Sequence, residues 1–234
     1  PCCGCRWMAP SKAAGGITNA SWKNVGFGDG FNVLRDAKDN NLLYWQWQGG
    51  NLRRMFLDTR ENKDIRPYAE DTTTLRYHWN TPLVIGAKSG DLYTASQFLY
   101  RSADQGDNWE TLSPDLTTND QEKLNQEQTG GLTIDNSTAE NHCTIYAIGE
   151  SPLDDNIIWV GTDDGNLQLT TDRGENWTNL ASNVPDLPPT TWVSFVEPSP
   201  YDKATAFVTF DGHTQGDMTS YIYKTTDYGQ TWTN

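Results

Sequence analysis

Three segments of the chain repeat the pattern Ser/Thr-x-Asp-x-Gly-x-x-Trp. They are Ser102 with Asp104, Gly106 and Trp109; Thr170 with Asp172, Gly174 and Trp177; and Thr225 with Asp227, Gly229 and Trp232. Such repetition requires one supersecondary unit to be built several times, each unit burying a face against the next. Each box follows an alternating, strand-like run: Phe98-Leu-Tyr-Arg101, Asn166-Leu-Gln-Leu169 and Tyr221-Ile-Tyr-Lys224. The box therefore reads as a hairpin turn. Its Asp carboxylate can accept backbone N–H bonds, and its Gly can take φ > 0 without a Cβ clash. Its Trp opens the next strand and packs back over the hairpin.

A second mark lies upstream of the boxes. Asp39, Asp154 and Asp202 each precede an aromatic residue by five positions, at Tyr44, Trp159 and Phe207. Ser151-Pro152-Leu-Asp154 and Ser199-Pro200-Tyr-Asp202 are 48 residues apart, whereas the boxes that follow them are 55 apart. The seven extra residues fall in the stretch 211–220. Each unit then reads as strand, turn, aromatic strand, turn, strand, box, outer strand. Four strands per unit make a propeller blade.

The sequence thus predicts an all-β fold, a β-propeller with about four four-stranded blades at residues 22–66, 79–116, 143–181 and 191–234. In the first blade the strands fall at 31–35, 42–47 and 52–57, and the turn at 58–62 is a degenerate box. A polar insertion at 117–141 separates the second and third blades, with helical character around 120–126. The chain starts at Pro1 and stops two residues after Trp232. It is expected to be an arc of a larger propeller, with the remaining blades or another chain covering its ends.

Composition supports this reading and excludes others. Only 35% of residues are hydrophobic, yet 12% are aromatic, with ten Trp and ten Tyr. A disordered acidic chain would lack those rings. The formal net charge of −14 argues against nucleic acid or an anionic membrane as a partner. No run approaches the ~20 apolar residues of a membrane span. Cys2, Cys3, Cys5 and Cys143 have no second Cys/His pair at zinc spacing, so a disulfide or free thiols is the reading. No metal and no cofactor is expected.

Further segments occur in one order: Gly28-Asp-Gly-Phe31, Trp79-Asn-Thr-Pro82, Ser113-Pro-Asp-Leu116, Glu150-Ser-Pro-Leu-Asp154, Trp159-Val-Gly-Thr-Asp-Asp-Gly165 and Phe210-Asp-Gly-His213. Together with the boxes they resemble the secreted bacterial Asp-box (BNR, sialidase-type repeat) β-propeller proteins, a group with sortilin-like and glycosyl-hydrolase-like members. The resemblance covers nearly the whole chain from about Trp7. It implies an extracytoplasmic protein, secreted, periplasmic or at the cell surface, but no particular activity. The segment from Pro1 to Cys5 departs from the Gly/Gln/Asp/Asn-rich turn of that group, and no role of that turn is carried over.

Propellers present ligand sites on loops at one mouth. The candidate loops are 28–30, 77–80, 163–165 and 211–217, and they nominate Asp29, His78, Trp79, Asp163, Asp211 and His213 as ligand-binding residues. The box residues are expected to be structural. The leading expectation is a binding or scaffold module for protein or glycan. The alternative is part of a xyloglucanase-like glycoside hydrolase using two carboxylates across a cleft, for which Asp29, Asp163 and Asp211 are the candidates by loop position. A sialidase is rejected. Its Phe/Tyr-Arg-Ile-Pro segment is absent, and Asp64-Ile-Arg-Pro67 holds the elements in the wrong order. The three Asn-x-Ser/Thr sequons, at Asn19, Asn136 and Asn176, are chance matches in a bacterial protein. In a eukaryotic one Asn136, in the polar loop, is the acceptor, because a glycan on Asn176 would crowd the box Trp.

Overall fold

Strands of the inner blades, such as Ile158–Thr162, are buried on both faces, whereas alternation leaves one face of the last strand open. In Tyr221–Thr225, residues 221, 223 and 225 are buried while Ile222 and Lys224 are exposed. A computed structural model describes residues 6–8, 22–69, 71–125 and 141–234. Cys2, Cys3, Cys5, Asn19, Asn136 and most of the polar insertion lie outside the described residues.

Strands β1 (Arg6–Met8) and β2 (Trp22–Asn24) form a short antiparallel pair. Four antiparallel meanders follow. The first joins β3 (Gly30–Arg35), β4 (Leu42–Trp47), β5 (Asn51–Phe56) and β6 (Asn62–Asp64). The second joins β7 (Leu83–Ile85), β8 (Leu92–Ala95), β9 (Leu99–Ser102) and β10 (Glu110–Thr111). After a one-turn helix α1 (Gln121–Leu124), the third joins β11 (Ile145–Glu150), β12 (Ile158–Thr162), β13 (Leu167–Thr170) and β14 (Thr178–Asn179). The last joins β15 (Trp192–Pro198), β16 (Ala206–Asp211) and β17 (Tyr221–Thr225). Its fourth strand is reduced to one bridge between Lys224 and Thr233. The extra residues of this blade form a turn of 3-10 helix at His213–Gln215, between β16 and β17.

The first strands of successive blades, β3, β7, β11 and β15, touch in order, so they line the inner side of the arc. Antiparallel pairing then sorts the turns by end. The beginnings of the first strands share one end with the turns between second and third strands, and this end is the mouth. The boxes lie at the opposite end.

The turns at the box end are held in three blades by the same device. The carbonyls of Asp39, Asp154 and Asp202 accept the N–H of Leu42, Ile157 and Thr205, and their carboxylates accept the N–H of Asn41, Asn156 and Ala204. The second blade lacks that Asp. Its turn at 86–90 is held instead by Glu150 of the third blade, which accepts the amides of Lys88 (2.7 Å) and Ser89 (2.9 Å) and the hydroxyls of Ser89 (2.6 Å) and Tyr93 (2.7 Å).

In each box the Asp oxygen accepts two bonds across the turn. Asp172 Oδ1 takes the Thr170 hydroxyl (2.7 Å) and the Asn176 amide (2.9 Å), and Asp104 and Asp227 are placed alike. The Asn108 side chain and amide are the leading causes that hold Asp104 down, to about 2. Each box also meets the blade before it. Gly174 has φ +96°, and a Cβ there would sit 2.3 Å from the Leu112 carbonyl oxygen, so glycine is required for the approach. Trp109 and Trp177 donate their indole N–H to the carbonyls of Ile65 (2.7 Å) and Leu112 (3.1 Å) of the preceding unit. The box tryptophan thus fastens neighbouring blades as well as its own hairpin. Trp232 differs, donating to Gly229 of its own box.

Apolar cores lie between blades. Trp159, Leu167 and Leu169 of the third blade pack on Val193, Val208 and Tyr223 of the fourth, and Tyr93 and Leu99 of the second pack on Ile145 and Val160 of the third. Tyr44 and Leu52 of the first blade pack on Leu83 and Leu92 of the second. The other face of the first blade, with Leu43, Trp45 and Met55, is covered by Val25 and its neighbours.

Candidate functional site

The mouth collects aromatic rings from three consecutive blades. His78 stands ahead of β7, Tyr146 is in β11, Trp192 opens β15 and His213 follows β16. Their centroids form a row: His78 to Tyr146 at 4.8 Å, Tyr146 to Trp192 at 5.6 Å, and Trp192 to His213 at 5.8 Å. His78 also meets Trp192 edge-on at 5.5 Å. Tyr146 and Trp192 are half-buried and His213 is exposed, so part of the row faces outward. Next to it, a cleft of about 230 Å³ is lined by Asn32, Asn80, Tyr146 and Ser194 together with apolar residues such as Leu83, Ile148 and Phe195.

His78 is buried, and its Nδ1 accepts the Asn80 amide at 3.0 Å. The proton of the neutral ring therefore sits on Nε2. Burial is the main cause that pushes its pKa down, to about 4, so the row carries a neutral imidazole at its inner end. At the outer end, His213 Nδ1 lies 2.8 Å from Asp211 Oδ1. The His213 amide, bonded to the same oxygen, leads in holding Asp211 below the usual carboxylate range.

The remaining sequence-predicted residues are placed differently. Trp79 is half-buried, and its carbonyl accepts the Gly49 amide at 3.0 Å. Asp29 is exposed in the first blade, its amide bonded to Gln48. Asp163 has no exposed surface. Its oxygens accept the Thr144 amide (2.8 Å) and hydroxyl (2.7 Å), and burial pushes its pKa up to about 7. Beside it, Asp164 accepts the amide and hydroxyl of Thr118, both at 2.7 Å. This carboxylate pair ties the start of β11 and the insertion to the mouth. The mouth brings His78 and His213 together through Tyr146 and Trp192. Asp29, Asp163 and Asp211 sit on three separate blades. Among the described residues no group of His, Cys, Asp and Glu converges on a metal-sized site, and no described helix is long and apolar enough to cross a membrane.

Tyr146 and Trp192 were not legible as site residues. Both lie in first strands, and only the ring of blades reveals which face of those strands looks inward. The available signal was an aromatic residue at the mouth end of a first strand, as at Trp192.

No protein family profile matches the chain, and no curated protein sequence matches it. Solved structures do. The GH74 xyloglucanase from Xanthomonas campestris superposes with a TM-score of 0.55 at 17% identity, over 86% of this chain and 29% of that one. An ancestral GH74 enzyme gives 0.53 at 14% identity, over 88% and 24%. The Dos1 propeller gives 0.54 at 12% identity, over 88% and 49%. The chain is a partial β-propeller. It spans under a third of the two enzymes and about half of the Dos1 propeller, and at these identities the likeness establishes fold alone.

Proposed function

We propose that this arc is an extracytoplasmic binding module whose ligand surface is the mouth, taking a glycan or a protein segment. The observation that carries the reading is the row His78–Tyr146–Trp192–His213, which joins three blades, is partly exposed and borders a cleft of mixed polar and apolar lining. Aromatic rings beside fixed polar groups bind through area and orientation at low entropic cost. Remaining Asp-box blades, or another chain, complete the ring on the open face of the last blade. The BNR-type, sortilin-like kinship suggested by the boxes and the secreted or periplasmic location belong to the same proposal.

The alternative, part of a xyloglucanase-like hydrolase, draws on the fold shared with GH74 enzymes. It would need two carboxylates facing one cleft, and Asp163 is committed to Thr144. Incubation of the protein with xyloglucan and other β-glucans separates the two readings. Binding without release of reducing ends supports the module, and turnover overturns it in favour of the hydrolase.

A further inference from the structure

A larger cleft, of about 820 Å³, lies on the outer rim, between the connector that leaves β6 and the outer edge of the second blade. One wall carries Arg66, Tyr68 and Asp71, the other Phe98, Asn108 and Trp109. Trp109 is fixed by its indole bond to Ile65. The Tyr68 ring is 68% exposed, and its hydroxyl has no partner among the described residues. Asp71 accepts the amide and the side chain of Thr73, and Asn108 spends its side-chain N–H on Asp104, which leaves the Asn108 amide oxygen to accept.

Charge narrows the ligand. Asp107 in the cleft is neutralised by Arg54 at 2.9 Å and by Lys63. Among the described lining residues that leaves one cation, Arg66, lying over Tyr77 at 4.1 Å, against one anion, Asp71. The described lining is balanced, in a chain whose net charge of −14 repels polyanions. It offers ring faces, hydroxyl, amide and carboxylate groups, and little aliphatic surface to anchor an apolar helix. Sugar rings match it: their C–H faces lie on aromatic rings while their hydroxyls bond to carboxylate, amide and guanidinium.

We propose that this rim cleft is a binding site for neutral oligosaccharides, separate from the mouth, with Tyr68 as its exposed stacking platform. The size is that of a small-molecule site, in the range of roughly 300–1,000 Å³. The test is calorimetric titration of the 234-residue protein with cellohexaose, mannohexaose and xylohexaose at up to roughly millimolar concentration. At least one is expected to bind, and Tyr68→Ala should weaken it about tenfold, as loss of one stacked ring does. Tyr68→Phe should retain most of the affinity, and Tyr201→Ala, which removes a ring that is 93% exposed elsewhere, should change nothing. No binding of any of the three hexasaccharides, or binding indifferent to Tyr68→Ala, overturns the assignment. A peptide library that binds in a Tyr68-dependent way while the sugars do not also overturns it.

Discussion

At the residue scale, two buried titratable groups at the mouth pull stability in opposite directions with pH. Asp163 holds its proton in the folded chain up to about pH 7, against an ordinary value of 3.8. Its contribution is present at low pH and is lost as pH rises through that interval. His78 is neutral in the folded chain down to about pH 4, against an ordinary 6.5, so its contribution is present at neutral pH and lost as pH falls. The two nearly mask each other in the parent protein and separate in variants. Melting temperatures of Asp163→Asn, taken relative to the parent, should climb between about pH 4 and pH 7. Those of His78→Gln should climb relative to the parent as pH drops from 6.5 toward 4. Parallel profiles in all three proteins would contradict these assignments. The loop position of Asp163 could be read from its Asp-Asp-Gly turn, but its burial could not. That depends on Thr144 and on Thr118 beside Asp164, which arrive from other parts of the chain.

At the element scale, two kinds of turn were unequally legible. The boxes are local: the hydroxyl lies two residues before the Asp and the bonded amide four after it, so their geometry follows from the sequence pattern. The Glu150 latch spans 61 residues from Ser89 and has no local signature. The same holds for the indole bonds of Trp109 and Trp177, which reach the preceding unit rather than only their own hairpin. The two turns should also respond differently to mutation. Glu150 is buried, and Glu150→Ala strands the hydroxyl of Tyr93 and two amides, so urea unfolding should show a loss of roughly 2–4 kcal/mol. Asp172 lies at the surface. Asp172→Ala should lower the melting temperature by a few degrees and leave ligand binding by the folded protein unchanged. Selective loss of binding would show that the box serves a ligand.

On the scale of the whole molecule, the repeat shows which face of the last blade is uncovered in this chain. The register that sets Trp159 beside Phe207, 48 residues on, also sets Ala147 beside Phe195. The box register, 55 residues, sets Leu167 beside Ile222. The third-blade residues are buried against the fourth blade, whereas Phe195, Phe207 and Ile222 are 58%, 44% and 56% exposed. The all-β, bladed architecture was legible because its periodicity is in the sequence. What covers the outer face of the last blade was not, because each interface is written only in the two surfaces that form it. This chain by itself should self-associate through that apolar face. Phe207→Glu, which faces Glu197 and Lys224 across the sheet, should restore a monomer in light scattering. A parent chain that is monomeric at high concentration would show that the face needs no cover.

The aromatic row at the mouth carries the functional account, and Trp192 is its centre, touching Tyr146, His78 and His213. The most direct measurement is a glycan and peptide array probed with the parent protein and with Trp192→Ala, each shown to be folded by near-UV circular dichroism. The parent should capture a defined ligand, and Trp192→Ala should lose about tenfold or more in affinity for it. Equal capture by the two proteins would contradict a binding surface at the mouth.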